Sequence, residues 1–183
     1  MPKLPLPGNK KSLAALLGAT AAAALLAFVV KHEGLVTNTY IDATGTPTVC
    51  VGETDPALAV PGAVYSADQC LRLLEDRLTE FAAAVGRATP AVMDVPELAI
   101  PAIDLAYNIG AAAYARSTTA GHFRAGRWRE GCAAMKRFVY SKGRKLCGLE
   151  IRRENEFALC LQGAAAMEAG RAPPRERERE QAQ

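Results

Sequence analysis

The feature that most constrains this chain is a run of nineteen residues without a charge, Ser12 to Val30 (SLAALLGATAAAALLAFVV). At roughly 1.5 Å per helical residue, such a run is just long enough to cross a hydrocarbon core of about 30 Å. Its strongly apolar positions are Leu13, Leu16, Leu17, Leu25, Leu26, Phe28, Val29 and Val30, and small residues supply most of the others. That makes it a weak span, near the margin of stable insertion. Lys3, Lys10 and Lys11 precede the run, so positive charge retains the N-terminus in the cytoplasm and sends the rest of the chain across the membrane. Three readings compete. An uncleaved export segment is favoured; a cleaved signal peptide would have to use a poor small-residue site at Leu25-Leu26-Ala27, inside the run; a helix buried in a soluble core is the third.

The remainder of the chain is long enough for one domain with its own core. There are 183 residues in all, half of them hydrophobic, which excludes a disordered protein and a miniature scaffold. Only 6% of residues are aromatic while alanine is abundant, which favours helices over a sandwich or barrel. The net charge of +3 is mild and does not by itself indicate nucleic acid. No internal repeat is visible.

Gly34 is a helix stop, and the Thr- and Val-rich stretch after it, with Gly and Pro punctuation, predicts a small β-hairpin sheet. Ser66-Ala67-Asp68-Gln69 is a capping box, and Cys70, Leu73, Leu74, Leu78, Phe81 and Val85 continue at helical spacing to a stop at Gly86 and Pro90. Helical periodicity also covers Pro96 to Gly110, where Pro101 must sit in a first turn or cause a kink and Gly110 ends the helix. Further helices are predicted over Arg129 to Val139 and Leu149 to Leu161, and the Arg/Glu tail from Pro173 reads as a solvated end.

Five cysteines, Cys50, Cys70, Cys132, Cys147 and Cys160, form no CxxC and no zinc spacing, and His32 and His122 are the only histidines, so neither a metal nor a cofactor is expected. At most two internal disulfides can form, which an exported domain would permit.

Glu33 closes the first helix, Asp42 comes next inside a Tyr-x-Asp strand, and Thr48 lies six residues further on. Two carboxylates around a hairpin suit glycosidic hydrolysis, in which one protonated carboxyl serves the leaving oxygen and one carboxylate acts on water or the sugar. On spacing alone, ordinary surface acids are the favoured reading.

The pattern Glu-x8-Asp-x5-Thr, with Gly34 after the Glu, Tyr40 two before the Asp and Thr-Val-Cys-x-Gly-x-Thr from Thr48, resembles the phage lysozyme (endolysin) family. Tyr107-Asn108-Ile109-Gly110, Ser117-Thr118 and Gly148-Leu149 with Arg152-Arg153-x-x-Glu156 extend the resemblance over about Lys31 to Gly163. It implies an α+β, mainly α, lysozyme-like fold with a small β-hairpin lobe and a helical lobe, preceded by a weakly hydrophobic N-terminal helix. It implies Glu33 as the general acid and Asp42 and Thr48 as the pair that holds and activates water. The substrate implied is the β-1,4 bond between N-acetylmuramic acid and N-acetylglucosamine in peptidoglycan. The weakly apolar run resembles the signal-arrest-release segment of one branch of the family. Residues 1–30 would then be a transient inner-membrane tether, 31–163 the catalytic domain, acting in the periplasm after release, and 164–183 a charged tail. A holin is the functional partner this suggests, and the enzyme would be a monomer without nucleic acid. The resemblance also pairs Cys50 with Cys70 and Cys132 with Cys160, leaving Cys147 extra.

Several positions depart from the family pattern or carry no assigned chemistry. Glu53 stands where relatives often have His, a third acid near the cleft, and Phe138 stands where Trp is frequent. If Glu53 were a lesion, the chain would be an inactive, membrane-tethered cell-wall-binding or lysis-accessory protein. Trp128 is expected to be a packing residue, Tyr107 and Asn108 structural at a helix end, Arg152 and Arg153 partners of Glu154 or Glu156, and His122 an exposed loop residue.

Overall fold

The structure is a computed structural model that describes residues 12–42 and 45–170. The Arg/Glu tail and the lysines before the apolar run lie outside the described residues. Within them the fold is mainly helical with two small antiparallel sheets, as the resemblance implies.

The apolar run forms two helices, α1 (Leu13–Leu17) and α2 (Ala19–Glu33), rather than the single helix expected. Gly18 separates them at φ +85°, a left-handed conformation that a side chain resists. Ser12 caps α1 by accepting from Ala15 N at 3.2 Å, and Gly34 ends α2 at φ +77° by donating to Val30 O. Leu13, Leu17, Ala21, Ala22, Leu25 and Val29 make one buried stripe, through which α1 rests on α3 (Ala67–Ala88) and α2 on α4 (Pro96–Ile109). At about 1.5 Å per residue α2 is about 22 Å long, short of the ~30 Å core of a bilayer. Among the described residues no helix is long and apolar enough to cross a membrane.

The predicted hairpin pairs β1 (Val36–Ile41) with β2 (Pro47–Cys50), Tyr40 opposite Thr48 and Ile41 opposite Pro47. Residues after it return along β1, with Thr39 N donating to Ala63 O and Tyr65 N to Thr37 O. Val49, Leu58, Ala59, Tyr65 and Leu73 form a small core around the Cys50–Cys70 disulfide, which ties the lobe to the first turn of α3. Closing a loop of this length contributes about 3 kcal/mol in the chain-entropy picture. The capping box is present on α3, but the helix runs through Gly86 to Ala88. Its stop is Thr89, followed by a short 3-10 turn at Pro90–Asp94.

Helix α4 is buried without interruption from Leu98 to Ala106 and is the axis of the larger core. Pro101 lies inside it, beyond the first turn, and the helix is continuous through the proline. Helices α5 (Ala111–Arg116), α6 (Thr118–Arg124) and α7 (Trp128–Met135) come next. Helix α7 stops short of the expected Val139, and after a turn the chain forms a hairpin of β3 (Tyr140–Ser141) and β4 (Arg144–Lys145), reversed by Lys142 and Gly143, both at positive φ. The last helix, α8 (Cys147–Glu168), starts earlier and ends later than predicted and lies across α4 and α7. Cys132–Cys160 joins α7 to α8, and Cys147 is free and exposed, so both pairings implied by the resemblance are present.

Helices α4 and α8 approach closely at Gly163, where an added Cβ would lie 2.7 Å from Leu98 Cγ, 2.9 Å from Leu98 N and 3.0 Å from Glu97 C. In an open helix, Gly to Ala gains about 1 kcal/mol. Here two of the three neighbouring atoms are backbone and cannot move aside, and overpacking of this kind costs about 1–3 kcal/mol. Gly163→Ala is therefore expected to lower the thermal midpoint measured with both disulfides intact. An unchanged or raised midpoint would contradict this packing.

Candidate active site

Glu33 is the last residue of α2, so the packing of that helix on α4 sets where its carboxyl lies. Behind it stands Arg152 of α8, with a side chain only 4% exposed. The Arg152 guanidinium forks onto Asp104 of α4, Nε to Oδ2 at 2.8 Å and Nη2 to Oδ1 at 2.6 Å, and donates from Nη1 to Glu33 Oε1. The neighbouring Arg153 donates to Asn108 Oδ1 at 3.1 Å and to Phe138 O at 3.4 Å, and pairs with Glu156. Of the partners expected for the two arginines, Glu154 or Glu156, Glu156 is the one they find, in contact with Arg153 and 3.9 Å from Arg152 Nε. The main partners of Arg152, Asp104 and Glu33, were not expected, and Glu154 pairs with Lys136 instead.

Burial alone would push the Asp104 carboxyl up, but the Arg152 fork and its charge hold it below the usual range. Glu156 goes the other way: burial first, then proton sharing with Asp104, raises it well above an ordinary carboxyl despite the two arginines. The raised Glu156 carboxyl thus lessens the negative charge that burial of Asp104 brings to this cluster, where two guanidinium groups lie close together.

In front of Glu33 is a cavity of about 290 Å³. Its walls are Gly52, Glu53 and Thr54 from the turn after β2, Arg77 and Phe81 from α3, and Tyr107 and Asn108 from the end of α4. The turn is tight, with reciprocal Val49–Glu53 backbone bonds of 2.9 Å and Gly52 at φ +72°. Tyr107 Oη donates to Val51 O at 2.7 Å, which ties α4 to the β-lobe, and its ring meets Phe81 edge-on. Burial, with Glu33 and Glu53 nearby, pushes the phenol up to about 12, so it remains a donor. Tyr107 and Asn108, expected to be structural only, are thus also walls of the cleft. Glu53 Oε1 accepts from Thr54 N at 2.9 Å and Asp55 N at 2.8 Å, so this departure from the family pattern caps the turn.

Asp42 and Thr48 share the adjoining hairpin. Asp42 Oδ1 accepts from Thr46 N at 2.9 Å, and the buried Thr48 donates from Oγ1 to Thr46 O at 3.1 Å. Neither is among the described residues that line the cavity in front of Glu33. Trp128 stacks on Phe123, in keeping with a packing role. His122 lies within α6 and is partly buried, not on an exposed loop. Among the described residues no group of His, Cys, Asp and Glu converges in a metal-binding arrangement.

Residues 30–156 match the phage lysozyme family model. The chain belongs to the phage lysozyme family. The chain is 32% identical over 164 residues to the SAR-endolysin of Enterobacteria phage P21, covering 86% of this chain and 98% of that one. The muramidase domain of SpmX from Asticaccaulis excentricus is 25% identical, with a TM-score of 0.66 over 75% of this chain and 95% of its own. The active form of P1 phage endolysin Lyz superposes with a TM-score of 0.69 over 85% of this chain and 97% of its own; at 22% identity it speaks for the fold. Family and neighbours together support a lysozyme-type glycoside hydrolase.

The charge balance behind Glu33 has a pH signature. An acid whose pKa is raised on folding contributes stability that is full below its unfolded value and is lost as pH rises through the folded value. For Glu156 that loss begins near the ordinary carboxyl pKa and extends upward. Glu156→Gln keeps the neutral shape, so the stability of the variant relative to wild type should rise steadily as pH increases from about 4.5. Denaturant unfolding at a series of pH values reads this out. A variant much less stable than wild type at neutral pH would mean that Glu156 is ionised in the folded protein.

Proposed function

We propose that this protein is an endolysin that hydrolyses the β-1,4 bond between N-acetylmuramic acid and N-acetylglucosamine in peptidoglycan. Glu33 donates a proton to the glycosidic oxygen, and the carboxylate left behind is met by the Arg152 guanidinium. Asp42 and Thr48, on the hairpin beside the cleft, hold and activate the attacking water. The observation that carries the reading is the position of Glu33: a carboxyl, 28% exposed, that faces the cleft and is gripped from behind by a buried arginine. Glu53 serves the turn through two backbone N–H groups, which speaks against its being a lesion that abolished activity.

Export and control belong to the same proposal. Residues 1–30 tether the enzyme in the inner membrane and residues 31–163 carry the chemistry, with α8 packing on past that boundary through the buried Ala164 to Glu168. On release, which a holin triggers by collapsing the membrane potential, the tether leaves the lipid and packs as α1 and α2, and the monomeric enzyme works in the periplasm. Because Glu33 ends α2, the same docking brings the acid to its cleft.

Glu33→Gln should preserve the circular dichroism spectrum and lower the lysis of chloroform-treated Gram-negative cells by roughly 10²–10⁴-fold, the usual contribution of a general acid. Retained lysis would remove Glu33 from this role. For the tether, Gly18→Leu together with leucines at several of the alanines both strains the break between α1 and α2 and strengthens the span. That variant should stay in the membrane fraction and be inactive. A membrane-bound form with full activity would show that insertion is not the off state.

A further inference from the structure

The cleft offers its substrate little positive charge. Glu33 and Glu53 both line it, whereas peptidoglycan is itself anionic, and Arg152 cannot compensate because it is buried with its donors already given to Asp104 and Glu33. Among the described residues that line the cavity, Arg77 is the single cation. It projects from α3, and its side chain is 53% exposed while that of Glu53 is only 12% exposed.

Arg77 is steered without being consumed. Glu53 Oε1 is occupied by two backbone N–H groups, and Oε2 is 3.9 Å from Arg77 Nε, near enough to orient the guanidinium but too far for a hydrogen bond. Glu80, one turn along α3, accepts a hydrogen bond from Nη1 at 3.4 Å, which uses one of the five donors. A guanidinium offers five N–H donors in a planar fork suited to a carboxylate, and most of those on Arg77 remain open.

We propose that Arg77, oriented by Glu53, is an anion subsite of the cleft that takes a carboxylate from the muramoyl side of the glycan. This rests on the peptidoglycan reading above. The carboxylate comes either from a stem peptide or from a free lactyl group. The subsite lets a cleft lined by two acids accept an anionic polymer, and it places the muramic residue by its charged substituent.

The test uses the full-length protein carrying Glu33→Gln, so that binding is read without turnover. Its affinity for soluble glycan strands is measured by calorimetry for strands bearing stem peptides and for strands stripped of them by an amidase. Each is also tested after its carboxylates have been converted to amides with carbodiimide and ammonia. Adding Arg77→Gln should weaken binding to carboxylated strands roughly tenfold, as expected for the loss of one charge-assisted contact, and should change binding to the amidated strands far less. Arg77→Lys, which retains the charge without the fork, should recover part of the loss. A loss confined to peptide-bearing strands assigns the stem carboxylate, and a loss confined to stripped strands assigns the lactyl group. Equal losses on carboxylated and amidated strands, or no loss on either, overturn the subsite. Hydrolysis of the same strands by the wild type reports separately on the muramidase reading.

Discussion

The architecture hangs on the Arg152 guanidinium. Its fork joins Asp104 of α4, 48 residues away, to Glu33 at the end of α2, 119 residues away, so three helices must dock in one register before its charge is satisfied. Burying ions costs several kcal/mol each, and the loss is recovered only when geometry and partners are complete. A slipped α2 or a rotated α8 would strand a charge in the core at a cost of about 3–5 kcal/mol. Stability and the aim of the proposed acid are therefore set by one set of contacts. The arginine holds the carboxyl in place and also fixes which arrangement of helices is tolerated.

Much of the fold could be read from local patterns, because the physics that sets them is local. The capping box at Ser66, the stop at Gly34, the Thr/Val-rich hairpin and the end of α4 at Gly110 each depend on a few adjacent residues. The errors arose where distant contacts override local preference. Gly86 is a plausible stop in isolation, yet α3 continues past it with Met93 packed beside it. Helix α7 stops at Met135, short of the predicted Val139, and the β3–β4 hairpin beyond it was not predicted, although the Lys142-Gly143 pair was the available signal.

The candidate site divides in the same way. Glu33, Asp42 and Thr48 could be proposed because they fall on one short motif whose order resembles a family. The partners of Arg152 could not, since nothing in the spacing of residues 33, 104 and 152 marks them as neighbours. Tyr107 and Asn108 were visible as a helix end, but their place on the cleft wall depends on how the β-lobe turn meets α4, through the bond from Tyr107 to Val51. A motif identifies the residues, and the opposing lobe determines which of them face the same space.

The buried stripe on α1 and α2 has a thermodynamic consequence. Leu13, Leu17, Leu25 and Val29 are buried in the main core, and at roughly 1.5–3 kcal/mol for each such side chain they contribute about 6–12 kcal/mol. A whole domain is commonly stable by only about 5–15 kcal/mol. A chain whose first thirty residues lie elsewhere thus forgoes a share comparable to the entire margin, and leaves open the trough on α3 and α4 that these side chains fill. The segment therefore behaves as a missing part of the core rather than an appendage. Wherever it goes, the folding equilibrium of everything downstream goes with it.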